Sequence, residues 1–375
     1  MSEPRSLNYR RVRSGRRAVY VGIAAAAGVV VLAWAVFATG VFSGPKSNNS
    51  SQGTDAMIAE TAEASDGADA SSGPATHPPS KTPTGSPARK PAARSADGSS
   101  SCPLPKYPTP ACTGVPAGTA FVKTVTGDYN AMVAGQVIDK WHITGNLNIK
   151  APNVVVKNTQ IDQSVFNRFG PGGDSQTNTY PYTISDSTIG PATGCIRAAG
   201  LQEANYTATR VHIRGVDHGV DMSEPGHVLV QDSYLVMCWL PPSVTPPDGS
   251  HVDGIQEYCP EGPCADLRLS HNTFDMRPDG KGTFVINVKD PHVSDVTVND
   301  NLLAGGDNYV IVTEWRSGPD LVISNNRVIN NTWGTAAPMS GEGTCSHQRW
   351  QGNTVVNIDS GYNVTSVVRA LSCSN

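Results

Sequence analysis

The chain has 375 residues, a formal net charge of −4 and a charged fraction of 16%, which is low beside the roughly 25% of an average soluble protein. Gly (37) and Pro (28) are abundant, and this argues against a helical bundle or coiled coil, which would be rich in Ala, Glu, Lys, Leu and Arg. No basic excess is present, which argues against nucleic-acid binding.

The N-terminal region predicts export of the chain. Residues 1–17 carry six arginines and one glutamate, a net charge of +5, and the mostly apolar segment 18–42 that follows has no charged residue. Such a segment is long enough to cross a bilayer as a helix, and the arginines before it place the N-terminus in the cytoplasm. We therefore expect a single-pass membrane protein with an extracellular C-terminal domain. The alternative is a signal peptide cleaved near Ala33–Ala35, which would leave the protein secreted.

Residues 43–101 predict a disordered linker, because they are dominated by Ser, Ala, Gly, Pro and Thr and show no apolar period. Taking the +5 of the first segment and the −1 of the linker from the total leaves −8 for residues 102–375. All eight cysteines lie in this last segment. An even number in an exported domain predicts disulfides, with Cys102/Cys112 and Cys259/Cys264 as the close pairs.

Internal repetition is the strongest signal in 102–375. Alternating apolar residues, a polar pair and one more apolar residue recur, with variations, in 154–161, 182–189, 206–213, 228–235, 267–274, 296–303, 321–328 and 348–355. This alternation predicts strands, with a turn at the polar pair. Asn272, Asn301, Asn326 and Asn353 occupy one position of the pattern. We expect them to form a ladder of stacked amides; the alternative is that each makes only its own turn.

A second short strand is predicted in several repeats, at 194–199, 218–223, 253–258, 284–289 and 309–314. A unit of about 25 residues cannot bury its apolar face alone, so the units must stack into a solenoid, here of about ten coils. We predict an all-β fold. The pattern resembles the right-handed parallel β-helix of the pectin-lyase-like superfamily, which includes pectate lyases and polygalacturonases. This resemblance implies polysaccharide chemistry in a groove on one outer sheet.

Alignment of the second strands predicts which side chains share a face. Ile196, Val220, Ile255, Ile286 and Ile311 form an apolar row that must face the core. The outward positions, with neighbouring residues on the same coils, give the candidate site. Its members are Arg197, His218, Asp221, His251, Asp253, Gln256, Tyr258, Asn287, Lys289, Glu314, Trp315 and Arg316. The insertion 238–250 is expected to border them, since solenoid insertions often form the wall of a binding site.

The segment His251–Gln256 (HVDGIQ) resembles the Asn-Thr-Asp-Gly run of polygalacturonase-like hydrolases, which implies a catalytic Asp253. The Asp-Asp, Gly-His-Gly and Arg-Ile-Lys segments of those enzymes are absent from this sequence. Hydrolysis would use Asp253 with Asp221 or Glu314 as the two carboxyl groups.

Lyase chemistry would need a cation to neutralise a uronate and a base to remove a proton. Candidate cations are Arg197, Lys289 and Arg316, and candidate bases are His251, Tyr258 and Lys289. Calcium held by Asp221, Asp253 and Glu314 is a further possibility.

Seven of the candidate residues, some of them already named for the lyase alternative, are assigned to substrate binding. They are Arg197, His218, Gln256, Tyr258, Asn287, Trp315 and Arg316. We expect a monomer that cleaves a polysaccharide and meets the membrane only through its N-terminal helix. The alternative function is a non-catalytic glycan-binding or adhesive surface protein, because fold alone does not decide between the two.

Overall fold

The structure is a computed structural model, and it consists of short strands joined by tight turns. It describes residues 102–169, 178–245, 249–259, 263–277, 284–288, 292–305, 309–312, 321–331 and 348–373. Within these ranges no helix is long and apolar enough to cross a membrane. The predicted span at 18–42 and the predicted linker lie outside them, as do Lys289, Glu314, Trp315 and Arg316.

The described part is all-β. Its strands are β1 (Lys123–Val125), β2 (Tyr129–Ala131), β3 (Val137–Asp139), β4 (Trp141–Ile143), β5 (Leu147–Ile149), β6 (Val154–Lys157), β7 (Gln160–Ile161), β8 (Val165–Phe166), β9 (Tyr182–Ser185), β10 (Thr188–Ile189), β11 (Ile196–Leu201), β12 (Tyr206–Thr209), β13 (His212–Ser223), β14 (Gly226–Gln231), β15 (Tyr234–Met237), β16 (Asp253–Tyr258), β17 (Cys264–Ser270), β18 (Thr273–Asp275), β19 (Phe284–Asn287), β20 (Val293–Asn299), β21 (Leu302–Ala304), β22 (Tyr309–Val312), β23 (Leu321–Ser324), β24 (Arg327–Ile329), β25 (Arg349–Gln351), β26 (Thr354–Ile358) and β27 (Val364–Ala370).

These strands form two long sheets, and the chain visits both on each pass. The first is a nine-stranded parallel sheet in the order β3, β6, β9, β12, β14, β17, β20, β23, β25. The second has 18 strands, of which 17 lie in two parallel runs that share β13 and the last, β27, pairs antiparallel with β26. One run is β1, β4, β7, β10, β13, β15, β18, β21, β24, β26, and the other is β2, β5, β8, β11, β13, β16, β19, β22. We call one pass of the chain through both sheets a coil. This arrangement is compatible with a parallel β-helix.

The core lies between the sheets and is built of residues that repeat from coil to coil. Val220 pairs with Ile255, Ile255 with Ile286, and Ile286 with Ile311, and all four are fully buried. The apolar row predicted from the sequence is therefore confirmed for these four coils. Ile196, placed in the same row by the alignment, instead pairs with Val216.

This register difference moves Arg197 away from the candidate face. The pairing offset of β11 along β13 differs from the one the alignment assumes: Ile196 pairs with Val216 and Leu201 lies beside Val220, and a β-bulge between Ile196 and Ala199 changes the offset by one residue. Arg197 is exposed and is five residues out of the predicted alignment. Period alone cannot reveal such an offset, because the apolar pattern reports which side of a strand is buried and not which residue of the next coil lies beside it.

The predicted asparagine ladder is present. The side chain of Asn272 donates to Asn301 Oδ1 (3.1 Å), that of Asn301 to Asn326 Oδ1 (3.0 Å) and that of Asn326 to Asn353 Oδ1 (3.0 Å). Each of these three oxygens also accepts the backbone N–H of the preceding rung. The ladder thus joins coil to coil through groups that are almost fully buried.

Disulfides pin the loops of the described coils. The predicted pairs Cys102–Cys112 and Cys259–Cys264 are both bonded, and Cys195–Cys238 is a third bridge. Cys195–Cys238 ties the residue before β11 to the start of the 238–250 insertion. The loops that flank the candidate face are therefore held to the coils by covalent bonds.

Candidate functional site

The longest strand of the structure positions the candidate site. β13 covers twelve residues, His212–Ser223, and pairs with β15 at its start and with β16 towards its end. A register shift lies between Arg214 and Val216, where Gly215 has a left-handed φ of 63°. Glycine adopts this conformation readily, and it lets the strand bend from one run of the sheet into the other. His218 comes directly after this bend.

Two glycines allow the strands at the site to approach closely. A Cβ on Gly219 would overlap the carbonyl oxygen of Gly254, and one on Gly254 would overlap that of Val285. Glycine is the residue that tolerates such close backbone approach. Because Gly219 follows His218 and Gly254 follows Asp253, the close approach fixes the two polar residues side by side, as a direct register pair.

Two histidines and their carboxylate partners meet at this point. His251 Nδ1 lies 3.1 Å from Asp253 Oδ2, and His218 Nδ1 lies 3.1 Å from Asp217 Oδ1. The two imidazole rings are 6.2 Å apart between centroids. From the next coil, Asn287 Nδ2 donates to Asp253 Oδ2 at 3.3 Å. We call Asp217, His218, Asp221, His251, Asp253 and Asn287 the polar cluster.

The polar cluster is graded in exposure. The side chains of Asp217 and Asp253 are 1% and 0% exposed, that of His218 is 18% exposed, and that of His251 is 47% exposed. His251 is thus the member that solvent or a ligand reaches first. Asp253 acts behind it, where its carboxylate orients the imidazole.

Several buried polar atoms of the cluster have no hydrogen-bond partner in the described part of the chain. They are Asp217 Oδ2, His218 Nε2, Asp221 Oδ1 and Asn287 Oδ1. Buried polar atoms are nearly always paired, so a group of exceptions in one place calls for a specific explanation such as catalysis or an ion. An ordinary solvated sheet face does not account for them, because these atoms are hidden from solvent.

Burial and neighbouring charges shift the pKa values of Asp221 and His218 in the polar cluster. Burial raises the pKa of Asp221 to about 7; the carboxylates of Glu203, Asp253 and Asp217 add to the rise, and His218 opposes it. For His218 burial alone would lower the pKa. The hydrogen bond to Asp217 and the charges of Asp221 and Asp253 outweigh burial and raise it to about 9. Perturbed groups of this kind collect at functional sites more often than elsewhere.

The insertion borders the polar cluster. Its described ends are closed by paired hydrogen bonds, Leu240 N to Ser250 Oγ and Ser250 N to Leu240 O, both 2.8 Å. His251 follows this closure directly. The aromatic ring of Trp239 packs against the core and lies where a Cβ on Gly249 would be. The insertion therefore holds His251 at a defined position in the polar cluster.

The structure brings together part of the predicted site. His218, Asp221, His251, Asp253 and Asn287 lie in one cluster. Asp221, Gln256 and Asn287 form a register row as expected, and Tyr258 lies next to Ser223 with 44% of its surface exposed. Arg197 belongs to a different register. Lys289, Glu314, Trp315 and Arg316 lie outside the described residues, so their assignments stay predictions.

Asp217 and Glu203 were absent from the predicted site. Asp217 directly precedes His218, and strict alternation would place two neighbouring side chains on opposite faces. The contact between them, close to the bend at Gly215, therefore cannot be predicted from alternation. Glu203 accepts from Ser223 Oγ at 2.7 Å and lies 3.2 Å from Arg168 Nη1. Only the adjacent Asp-His letters could have signalled Asp217, and no sequence signal points to Glu203.

The donor set of the polar cluster differs from a calcium site. Calcium takes six to eight oxygen ligands, whereas the one group in the described residues with metal-ligand spacing is His218, His251 and Asp253, whose ligand atoms lie within 4.8 Å of one another. Two imidazoles are not calcium ligands, so this group suits a different ion. The predicted calcium ligands Asp221, Asp253 and Glu314 include a residue outside the described ranges, and that assignment stays a prediction.

Comparison with known proteins adds no assignment. No family model, curated protein or solved structure matches the chain.

Proposed function

We propose that this protein is an exported enzyme that cleaves a polysaccharide on the outer face of a right-handed parallel β-helix, like members of the pectin-lyase-like superfamily. One observation carries the proposal. The polar cluster places carboxylates and imidazoles on one face, beside a disulfide-tethered insertion, with buried polar atoms that lack a partner in the described residues.

The burial of Asp253 favours elimination over hydrolysis. A carboxylate with no exposed surface, already bonded to His251 and Asn287, is poorly placed to attack a sugar carbon or to protonate a leaving oxygen. A hydrolase needs two carboxyl groups that reach the scissile bond. We therefore propose β-elimination on a uronate-containing glycan.

Elimination needs a neutralised uronate carboxylate and a base that removes the C5 proton. In this proposal the face formed by His218, His251 and Asp253 neutralises the uronate. Asp221 takes the C5 proton, because a carboxylate of raised pKa is a stronger base than an ordinary one. The C4–C5 double bond forms as the glycosidic C4–O bond breaks, and the leaving oxygen takes a proton from water. Tyr258, exposed at the end of the same face, offers a surface on which a sugar ring can pack.

The test is a polysaccharide panel with the full-length chain in mild detergent. It contains polygalacturonate, alginate and a glycosaminoglycan, with xylan and galactan as neutral polymers. Absorbance near 235 nm reports the double bond formed by elimination, and a reducing-end assay reports any cleavage. Elimination predicts both signals together on a uronate polymer. Reducing ends without the absorbance would contradict elimination and favour hydrolysis.

Asp221→Asn tests the proposed base. It should lower the turnover number by about 100-fold or more, since a general base contributes about 10²–10⁴. Asp266→Asn is the matched control, a partly exposed aspartate on the nine-stranded sheet, and should change turnover by less than about twofold. Saturable binding of a polymer with no cleavage would support the alternative, a non-catalytic glycan-binding surface protein.

A further inference from the structure

We propose that His218, His251 and Asp253 bind one divalent transition metal ion of the Zn²⁺ class. The claim concerns metal binding by these residues and stands on their coordination geometry. Its link to catalysis, as the cation that neutralises a uronate, rests on the proposed function.

The spacing of the three side chains suits a single ion. Two ligands about 2.1 Å from a metal are about 3.0 Å apart at a right angle and about 3.4 Å apart at the tetrahedral angle. His251 Nδ1 and Asp253 Oδ2 are 3.1 Å apart, so they already have this spacing. One ligand atom from each of the three residues lies within 4.8 Å of the others, and a side-chain shift of about 1–2 Å closes the set.

His218 is prepared for ligation by its neighbour. Its Nδ1 is engaged with Asp217 Oδ1 at 3.1 Å, and its Nε2 is buried with no partner in the described part of the chain. A metal-bound histidine commonly donates its other ring N–H to a carboxylate, which fixes the tautomer and the ring orientation. The pair Asp217–His218 has this arrangement, and it leaves Nε2 as the ligand nitrogen.

Asn287 provides the corresponding support for the carboxylate. Its amide donates to Asp253 Oδ2 at 3.3 Å, and ligating carboxylates are usually hydrogen-bonded in this way. Two imidazoles and one carboxylate are the donor set of zinc, iron and manganese sites that keep open positions for water or substrate. The 47% exposure of His251 leaves a path by which such a ligand reaches the ion.

The number of carboxyl groups in the polar cluster also favours a bound divalent cation. Asp217, Asp221 and Asp253 place three carboxyl groups around two imidazoles, and a uronate carboxylate would add a fourth acidic group. A divalent cation held at the front of the cluster separates the substrate's carboxylate from those of the protein.

The experiment measures metal binding directly on the full-length chain, dialysed against a chelator and then against buffer. Titration with Zn²⁺ by calorimetry should give one ion per chain. Co²⁺ should give the visible absorption of a site with nitrogen ligands. Ca²⁺ in excess should not displace Zn²⁺. His251→Asn should abolish the stoichiometric binding, and Asp217→Asn should weaken it by about 10–100-fold because it supports a ligand.

His227→Asn is the matched control, because His227 also faces an aspartate, Asp266, at 3.7 Å but belongs to no metal-spaced group in the described residues. It should bind Zn²⁺ as the unaltered chain does. Circular dichroism checks that each variant is folded; His251 is half-exposed, so its replacement should not disturb the core. Absence of stoichiometric binding, equal binding by His251→Asn, or displacement by Ca²⁺ would overturn the proposal. Metal binding without polysaccharide cleavage would leave the site standing and reject only the proposed function.

Discussion

Replacing Asn301 by Ala tests the asparagine ladder, which joins the coil of Asn287 to the three coils that follow it. Asn301 is fully buried. Its Oδ1 accepts the backbone N–H of Asn272 at 2.9 Å, and its Nδ2 donates to the backbone carbonyl of Leu269 at 2.9 Å. The variant therefore deprives one buried backbone donor and one buried backbone acceptor of a partner, besides breaking the side-chain bonds to both neighbouring rungs.

The expected cost follows from these two backbone groups. A buried polar group left without its partner costs about 1–3 kcal/mol, so Asn301→Ala should lower the free energy of unfolding by about 2–6 kcal/mol. Since whole domains are stable by only about 5–15 kcal/mol, the loss is large enough to measure. Asn357→Ala is the control. Asn357 pairs with Asn330 and Ser366 at 3.0 Å, but in an exposed position, and its loss should cost no more than about 0.5 kcal/mol.

The assay is equilibrium unfolding in guanidinium chloride, followed by circular dichroism and tryptophan fluorescence. The denaturant slope must be compared as well as the midpoint, because a repeat protein that loses cooperativity changes its slope. A loss for Asn301→Ala no greater than that for Asn357→Ala would refute the reasoning. Each asparagine would then serve only its own turn.

Two other perturbations have defined outcomes. Gly254→Ala puts a Cβ against the carbonyl oxygen of Val285, so the two strands must separate; we expect polysaccharide cleavage to be lost while the circular dichroism spectrum stays β-rich, and unchanged turnover would contradict this. His212 has a pKa lowered from 6.5 to about 4 by burial, so below pH 6.5 protons bind preferentially to the unfolded chain. Stability should be complete above pH 6.5 and fall by about 3 kcal/mol as the pH drops to 4. His212→Gln should remove that part of the pH dependence in denaturant titrations, and an equally steep profile in the variant would count against it.

Much of the architecture was readable from periodicity. The alternation in segments such as 154–161 and 321–328 reports which side of a strand is buried, and that signal is local. The common position of Asn272, Asn301, Asn326 and Asn353 was also visible, since a stacked fold aligns equivalent residues. The two close cysteine pairs were predicted for the same reason: few residues separate their members, so a bridge needs little from the rest of the chain.

The polar cluster could be predicted only in part. The sequence pattern places Asp221, Asp253 and His251 at the candidate site. It does not show that Asp253 is buried and pairs with His251. His218 and Asp253 lie two residues before the buried row, where strict alternation points a side chain inward, and only the glycine after each lets the chain turn. Alternation could not supply Asp217, because the bend at Gly215 changes the direction of the chain within one strand.

The repeat, the buried apolar rows and the ladder can be predicted from the amino-acid sequence, because each depends on spacings of a few residues that recur from coil to coil. Tertiary structure alone decided the register of β11 against β13, the Cys195–Cys238 bridge and the meeting of His218 with His251. These depend on how β11 is offset along β13, on the path of an insertion and on how closely two glycine-bearing strands approach. All three are set by backbone contacts between distant residues, and those contacts leave no period in the sequence.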